Sequence, residues 1–244
     1  MPPPILVIAD IHGNLEALKA VLAETDGLIS ETWVLGDVAG YGPDPGACLT
    51  ILRNRSALIL PGNHDWAVCG KLDIDDFNDE ARAAVLVHRA LLSAAEKDYL
   101  AALPETVVRG SVTLCHGAPR RPVWGYVMNT AAAAGALAEA ETSLTLVGHT
   151  HRPALWAYHA QAGARAVDWD YGREQHYTGV PHLGNPGSVG QSRDGDPAAR
   201  YMLLDPERKT LELRRCRWRS GPTRRKMKKL GLPAGLIERM APKM

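Results

Sequence analysis

Phenylalanine occurs once in the 244 residues, and the four cysteines include no Cys-x-x-Cys pair. Cys48, Cys69, Cys115 and Cys216 are scattered, which argues against a zinc ribbon or disulfide framework and reads as reduced thiols. Neither sign of charge dominates: 28 Lys and Arg against 27 Asp and Glu leave a net charge of +1. No global field therefore draws the chain to nucleic acid or to a membrane. Long apolar runs are missing too. Met1-Pro2-Pro3-Pro4 has no basic residue ahead of the short apolar stretch 5–9, so neither a signal peptide nor a membrane span is expected, and the expected location is cytoplasmic. What remains is ordinary for a globular protein, 45% hydrophobic and 23% charged, with enough length for one main domain.

The apolar runs that are present end in polar residues. Ile5-Leu6-Val7-Ile8-Ala9 stops at Asp10-Ile11-His12-Gly13-Asn14, and Leu15, Leu18, Val21 and Leu22 follow at helical spacing with Asn14 as the N-cap. Trp33-Val34-Leu35 stops at Gly36-Asp37, then a Gly/Pro-rich loop containing Tyr41, then a helix through Leu49 and Leu52. Ala57-Leu58-Ile59-Leu60 stops at Pro61-Gly62-Asn63-His64-Asp65. Asp10, Asp37 and Asn63 are about 26 residues apart, close to the length of a βαβ unit. Right-handed crossovers place them at the carboxyl ends of neighbouring parallel strands, the edge where open α/β sheets bind ligands.

Further on, the spacing predicts one helix over 78–102, with His88 on it as a surface or core residue and no ligand. A hairpin over 106–115 ends at His116-Gly117, a helix lies near 130–140, and 144–147 ends at Gly148-His149-Thr150-His151. Short strands after 154 read as a second sheet packed on the first. The tail holds Arg214, Arg215, Arg217, Arg219, Arg224, Arg225, Lys226, Lys228 and Lys229 with no acid among them, then a short apolar helix. It reads as an exposed basic face on a docking helix, with a collar for polyphosphate as the sharper alternative.

Five strand ends thus carry Asp10, His12, Asp37, Asn63, His64, His116, His149 and His151. Carboxylate, amide and imidazole without thiolate suit Mn, Fe, Zn, Co or Ni better than a Ca or Mg cage. Seven of these eight as ligands suit two ions, with Asp37, central in the strand order, as the bridge.

Together Asp10-x-His12, Gly36-Asp37, Gly62-Asn63-His64-Asp65, His116-Gly117 and Gly148-His149-Thr150-His151 resemble the calcineurin-like metallophosphoesterases. Asn185-Pro186-Gly187-Ser188 is similar to the segment after the last metal histidines in the small bacterial phosphodiesterase branch. The resemblance implies an α/β fold, an αββα sandwich of two mixed β-sheets flanked by helices, over 1–213, followed by the basic tail, 214–244. It implies two divalent transition-metal ions, manganese foremost. One would be held by Asp10, His12, Asp37 and His151, the other by Asp37, Asn63, His116 and His149. It also implies in-line hydrolysis of a small phosphoester or nucleotide by activated hydroxide, with His64 as general acid.

One motif departs from the protein Ser/Thr phosphatase branch. Where that branch has an Asp that orients the catalytic His and an Arg that grips phosphate, this chain has Gly40 and Tyr41. Asp65 is the remaining acid that could orient His64. Asn14, Tyr41, Arg120 and Arg121 are candidate substrate contacts, the arginines because guanidinium forks match phosphate oxygens. The competing functions are symmetrical hydrolysis of dinucleoside polyphosphates and, from another class, a metal-binding protein-interaction scaffold. A nuclease would draw on the tail but is disfavoured. The oligomeric state is left open.

Overall fold

The computed structural model describes residues 2–240. All four residues of β1 (Ile5–Ile8) are buried. Ile5 and Val7 face one apolar cluster, Leu6 and Ile8 another, as a strand covered on both faces requires. β1 pairs in parallel with β2 (Glu31–Val34), and β2 with β3 (Leu58–Ile59). The crossovers run through α1 (Leu15–Thr25) and α2 (Pro45–Asn54). On its other side β1 is antiparallel to β11 (Ala199–Asp205), and β12 (Thr210–Cys216) and β9 (Glu174–His176) complete a six-stranded sheet, β3-β2-β1-β11-β12-β9.

The second sheet uses β4 (Thr106–Arg109), β5 (Val112–Cys115), β6 (Leu144–Leu146), β7 (Pro153–His159), β8 (Gly163–Ala166) and β10 (His182–Pro186) in the order β4-β5-β6-β10-β7-β8. β5, β6 and β10 are parallel and the outer pairs antiparallel. Val7, Leu35, Leu60, Leu114, Leu146, Leu155 and Met202 fill the space between the sheets. The outer face of the first sheet is covered by α1, α2, α3 (Asn63–Cys69), α4 (Asp79–Leu91), α5 (Ala94–Ala101), α7 (Ser220–Lys229) and α8 (Ala234–Met240), packed through side chains such as Leu18, Leu49, Val85, Leu100 and Met227. α6 (Thr130–Leu137) covers the second through Ala133 and Leu137, against Cys115, Val147 and Leu183. This is the αββα sandwich.

Three details differ from the sequence expectation. Residues 78–102 form two helices, because Leu92 turns extended and Ser93 opens a new helix in a capping box with Glu96. The strands after 154 do not all join the second sheet; β11 inserts beside β1, and β12 and β9 follow it. Beyond 213 there are two helices rather than one. Met227, Leu236, Ile237 and Met240 are buried in the main core, each contributing about 1.5–3 kcal/mol, so this segment is fastened to the sandwich. The four cysteines are free. Among the described residues no helix is long and apolar enough to cross a membrane.

Candidate metal centre

The polar residues that follow β1, β2, β3, β5 and β6 converge where the two sheets abut. Five of them turn sharply at the strand end: Asp10, His12, Asp37, His149 and His151 have φ of 54°, 50°, 54°, 67° and 60°. Only two other non-glycine residues among those described, Ser56 and Lys209, share that left-handed region. Such backbone costs of order 1 kcal/mol or more per residue and persists where the surroundings over-determine it. Here it aims each side chain back into the cleft.

The hydrogen bonds then fix which atoms are free. Nδ1 of His12 donates to the Ala39 carbonyl at 3.0 Å, that of His116 to Leu35 at 2.7 Å, and that of His151 to Gln191 at 2.6 Å. A carbonyl can only accept, so each of the three rings carries a proton on Nδ1, and where the ring is neutral, as in His12 and His151, Nε2 carries a lone pair. His12 and His151 are kept neutral by burial, which holds both well below the ordinary imidazole range. Yet their Nε2 atoms face each other at 3.0 Å, with Asp10 Oδ1 3.9 Å from the first and 3.4 Å from the second. Acceptors converge there with no donor between them.

The carboxylates repeat the pattern. Asp10 Oδ2 accepts the His149 amide at 3.1 Å and Asp37 Oδ1 accepts the His64 amide at 2.9 Å. The other oxygens, Asp10 Oδ1 and Asp37 Oδ2, have no hydrogen-bond partner, nor do Asn63 Oδ1 and His149 Nε2. Asp37 Oδ2 lies 3.6 Å from His12 Nε2 and 3.4 Å from His116 Nε2, so it stands between the two groups. Burial opposes a charge on His116, but the Asp37 carboxylate outweighs it and raises that imidazole to about 9. Buried acceptors without donors are costly, and a bound cation would satisfy them. Three clusters, Asp10–His12–His151, His12–Asp37–His64 and Asp37–His116–His149, bring their ligand atoms close enough to hold one. Asn63 Oδ1 is a further unpaired acceptor.

His64 shares the middle cluster with His12 and Asp37 but comes from the start of a helix. It occupies the first turn of α3 beside Asn63, with Nδ1 unpartnered. Its ring lies between Tyr41 at 4.5 Å, His12 at 4.9 Å and Phe77 at 5.0 Å. Burial pushes the imidazole down to about 4, with Asp37 partly opposing. The Asp65 carboxylate does not reach it. Its oxygens accept the amides of Val38, Ala39 and Gly62 at 3.2, 2.8 and 3.0 Å, tying the loop after β2 to α3. The same loop is gripped from α4, where His88 Nδ1 accepts the Gly40 amide at 3.0 Å and Nε2 donates to Gly42 at 2.5 Å. Gly40, at φ 140°, lies so close over His12 that a Cβ would run into the imidazole. No aspartate fits there on this backbone.

The sequence profile of the calcineurin-like phosphoesterase superfamily domain matches residues 4–209. The chain belongs to that superfamily. It is 36% identical to a metallophosphoesterase from Sphaerobacter thermophilus whose crystal structure covers 99% of both chains at a TM-score of 0.88. An uncharacterized protein of Methanocaldococcus jannaschii is 32% identical over 97% of this chain and 96% of its own length. A hypothetical protein of Pyrococcus horikoshii, 20% identical, shares the fold over 98% of both chains with a TM-score of 0.81.

Within this phosphoesterase fold the remaining candidates take varied places. Asn14 caps α1, accepting from Ala17, and donates to Gly190 at 2.9 Å, so its amide is engaged. Tyr41 is buried against His12 and His64 rather than standing as an open stacking face. Arg120 pairs with Glu139 on the surface. Arg121 shares with Tyr126 the lining of a hollow of about 300 Å³. Three residues at the cleft were not anticipated from the sequence. Tyr126 stacks on His149 at 3.8 Å, Trp124 lies 6.0 Å from it, and Phe77 packs on His64. None carries a spacing signal. The Asn185–Ser188 segment acts as a brace. Asn185 donates to Gly148 at 2.7 Å and to Thr150 at 3.0 Å, and Ser188 donates to the Asp10 carbonyl at 2.7 Å, joining the loops that end β1 and β6.

Proposed function

We propose that the chain is a phosphodiesterase dependent on two divalent transition-metal ions, acting on a small diester or nucleotide ester. The observation that carries this reading is the set of buried acceptor atoms, Asp10 Oδ1, Asp37 Oδ2 and Asn63 Oδ1, left without donors around imidazoles that face each other, His12 with His151 and His116 with His149. One ion would be held by Asp10, His12, Asp37 and His151, the other by Asp37, Asn63, His116 and His149, with Asp37 common to both. Nitrogen and oxygen donors without thiolate suit manganese, with Fe, Zn, Ni or Co as alternatives. When bound, such a pair supplies Lewis acidity and water activation for in-line displacement at phosphorus.

The chain's own side chains do the rest. His64 donates the proton that the leaving alkoxide needs. Burial alone keeps its imidazole neutral at pH 7, so the ring must take a proton from solvent as the anionic ester binds, the ester's charge favouring the imidazolium. Asp65 acts through backbone, holding the 37–39 loop and α3 in register. Tyr126, Trp124 and Phe77 line the cleft with rings, which suits a singly charged ester with a flat substituent better than a dianionic monoester.

A dinucleoside polyphosphate would call on the basic tail, but key cations there are engaged: Arg214 with Glu212, Arg215 with Asp196, Arg224 with Glu238, and Lys226 with Glu16 and Asp44. The deciding experiment is a substrate screen of the Mn²⁺-loaded protein. Turnover of bis(4-nitrophenyl) phosphate well above 4-nitrophenyl phosphate is expected. Nucleoside diphosphates released from a dinucleoside tetraphosphate, without diester turnover, would replace this reading with the polyphosphate one. Inertness on every ester would favour a scaffold.

A further inference from the structure

The loop after β10 carries a cation whose surroundings leave it idle within the protein. Gln191 takes the His151 Nδ1 proton on its carbonyl, and Arg193 follows two residues later. The Arg193 side chain is exposed, and among the described residues it makes no ion pair. Its one polar contact is Gln191 Oε1 at 3.5 Å. Arg120, by contrast, is occupied by Glu139. The loop under Arg193 is firmly held. Arg200, fully buried in β11, donates from Nη2 to both Asp194 oxygens at 2.7 Å and lies 3.4 Å from Asp196. Arg215 pairs with Asp196 at 2.5 Å, and Arg152 Nε donates to the Arg193 carbonyl at 3.2 Å. Each neighbouring acid is therefore spent on another arginine, while Arg193 is left free beside a metal-ligand loop. Gln191, whose carbonyl holds His151 and whose Oε1 meets the guanidinium, thus sets Arg193 beside the cleft.

We propose that Arg193, projected from the loop locked by Arg200 and Asp194, grips the non-bridging phosphate oxygens of the substrate. This rests on the phosphoesterase reading above. A phosphate-gripping arginine is missing at Tyr41, the place it holds in the protein phosphatase branch, and Tyr41 packs between His12 and His64. Arg193 restores the grip from the opposite side of the sequence. The guanidinium fork matches two phosphate oxygens, and the lack of an internal acid means no ion pair must break on binding.

The test uses the full-length, Mn²⁺-loaded protein and inorganic phosphate as the probe, titrated by calorimetry, alongside steady-state kinetics on bis(4-nitrophenyl) phosphate. Arg193→Ala is expected to weaken phosphate binding about 10- to 100-fold and to raise KM, at unchanged metal content. Arg193→Lys, keeping charge but not the fork, should fall between. Arg165→Ala, which removes the same charge from exposed β8, should leave both readouts as they are. Phosphate affinity and KM within about twofold of wild type in Arg193→Ala, with metal intact, would overturn the proposal, as would wild-type protein that fails to bind phosphate. Wild-type protein that binds phosphate in an Arg193-dependent way but hydrolyses no diester would sink the phosphodiesterase reading and leave the phosphate grip standing.

Discussion

Asp37 holds the most connected position in the cleft. One oxygen is committed to the His64 amide, and the other faces His12 and His116 from 3.6 and 3.4 Å. Asp37→Ala is expected to abolish binding at both metal positions, and elemental analysis showing two ions per chain would reject the shared-ligand role. His64 makes the opposite kind of prediction. His64→Ala should retain metal and lose about 10²–10⁴ in turnover; unchanged kcat would remove it from the chemistry. Gly40→Ala tests crowding. The new methyl meets the His12 ring and the backbone sits at φ 140°, so a loss of more than about 1 kcal/mol and weaker metal retention are expected, read by denaturant melts and metal analysis.

At the scale of elements, the histidine on α4 matters although it touches no ligand atom. His88 accepts from Gly40 through Nδ1 and donates to Gly42 through Nε2, an arrangement only the neutral ring can make. Burial accordingly pushes it down to about 4, with the Gly42 bond partly opposing. The unfolded chain takes up this proton near pH 6.5 while the folded chain resists, so the contribution is whole above that pH and is lost as pH falls towards 4. About 2 kcal/mol should disappear between pH 6.5 and pH 5 in the metal-loaded protein. In His88→Asn this part of the pH dependence should vanish, and urea melts at the two pH values measure it.

How much of this was legible in the sequence also divides by element. Strand-end motifs could be read because an apolar run that stops at Asp or His is a local pattern; β1, β2 and β3 lie parallel and adjacent, as the 26-residue spacing implies. The split of 78–102 had a signal, Ser93-x-x-Glu96, that the continuous apolar stripe concealed. Arg193, Trp124 and Tyr126 had none. They sit in loops, and only the pairing of β10 and β11 into different sheets brings the 187–198 connection across the cleft.

For the whole molecule, the candidate ligands link the layers. Asp10, His12, Asp37 and Asn63 follow strands of the first sheet, and His116, His149 and His151 follow strands of the second. Ions held by both would bind the native sandwich and not the unfolded chain. At a hundredfold excess over Kd, one such ion adds about 2.7 kcal/mol. For a chain of this size that corresponds to about 5–10 °C in Tm. Dialysis against a chelator should lower the midpoint by that amount, and added Mn²⁺ should restore it; a midpoint indifferent to both would argue against a cross-sheet centre.

The chain's single phenylalanine lies edge-on to His64, 5.0 Å between ring centres, with Trp124 5.4 Å behind it. A protein with one such residue labels itself. Grown on fluorinated phenylalanine, it would carry one fluorine signal in its whole spectrum, already assigned and already in the cleft. Arrival of an ion, of phosphate or of a diester could then be followed as three separate events on one resonance, with no mutation and no turnover required.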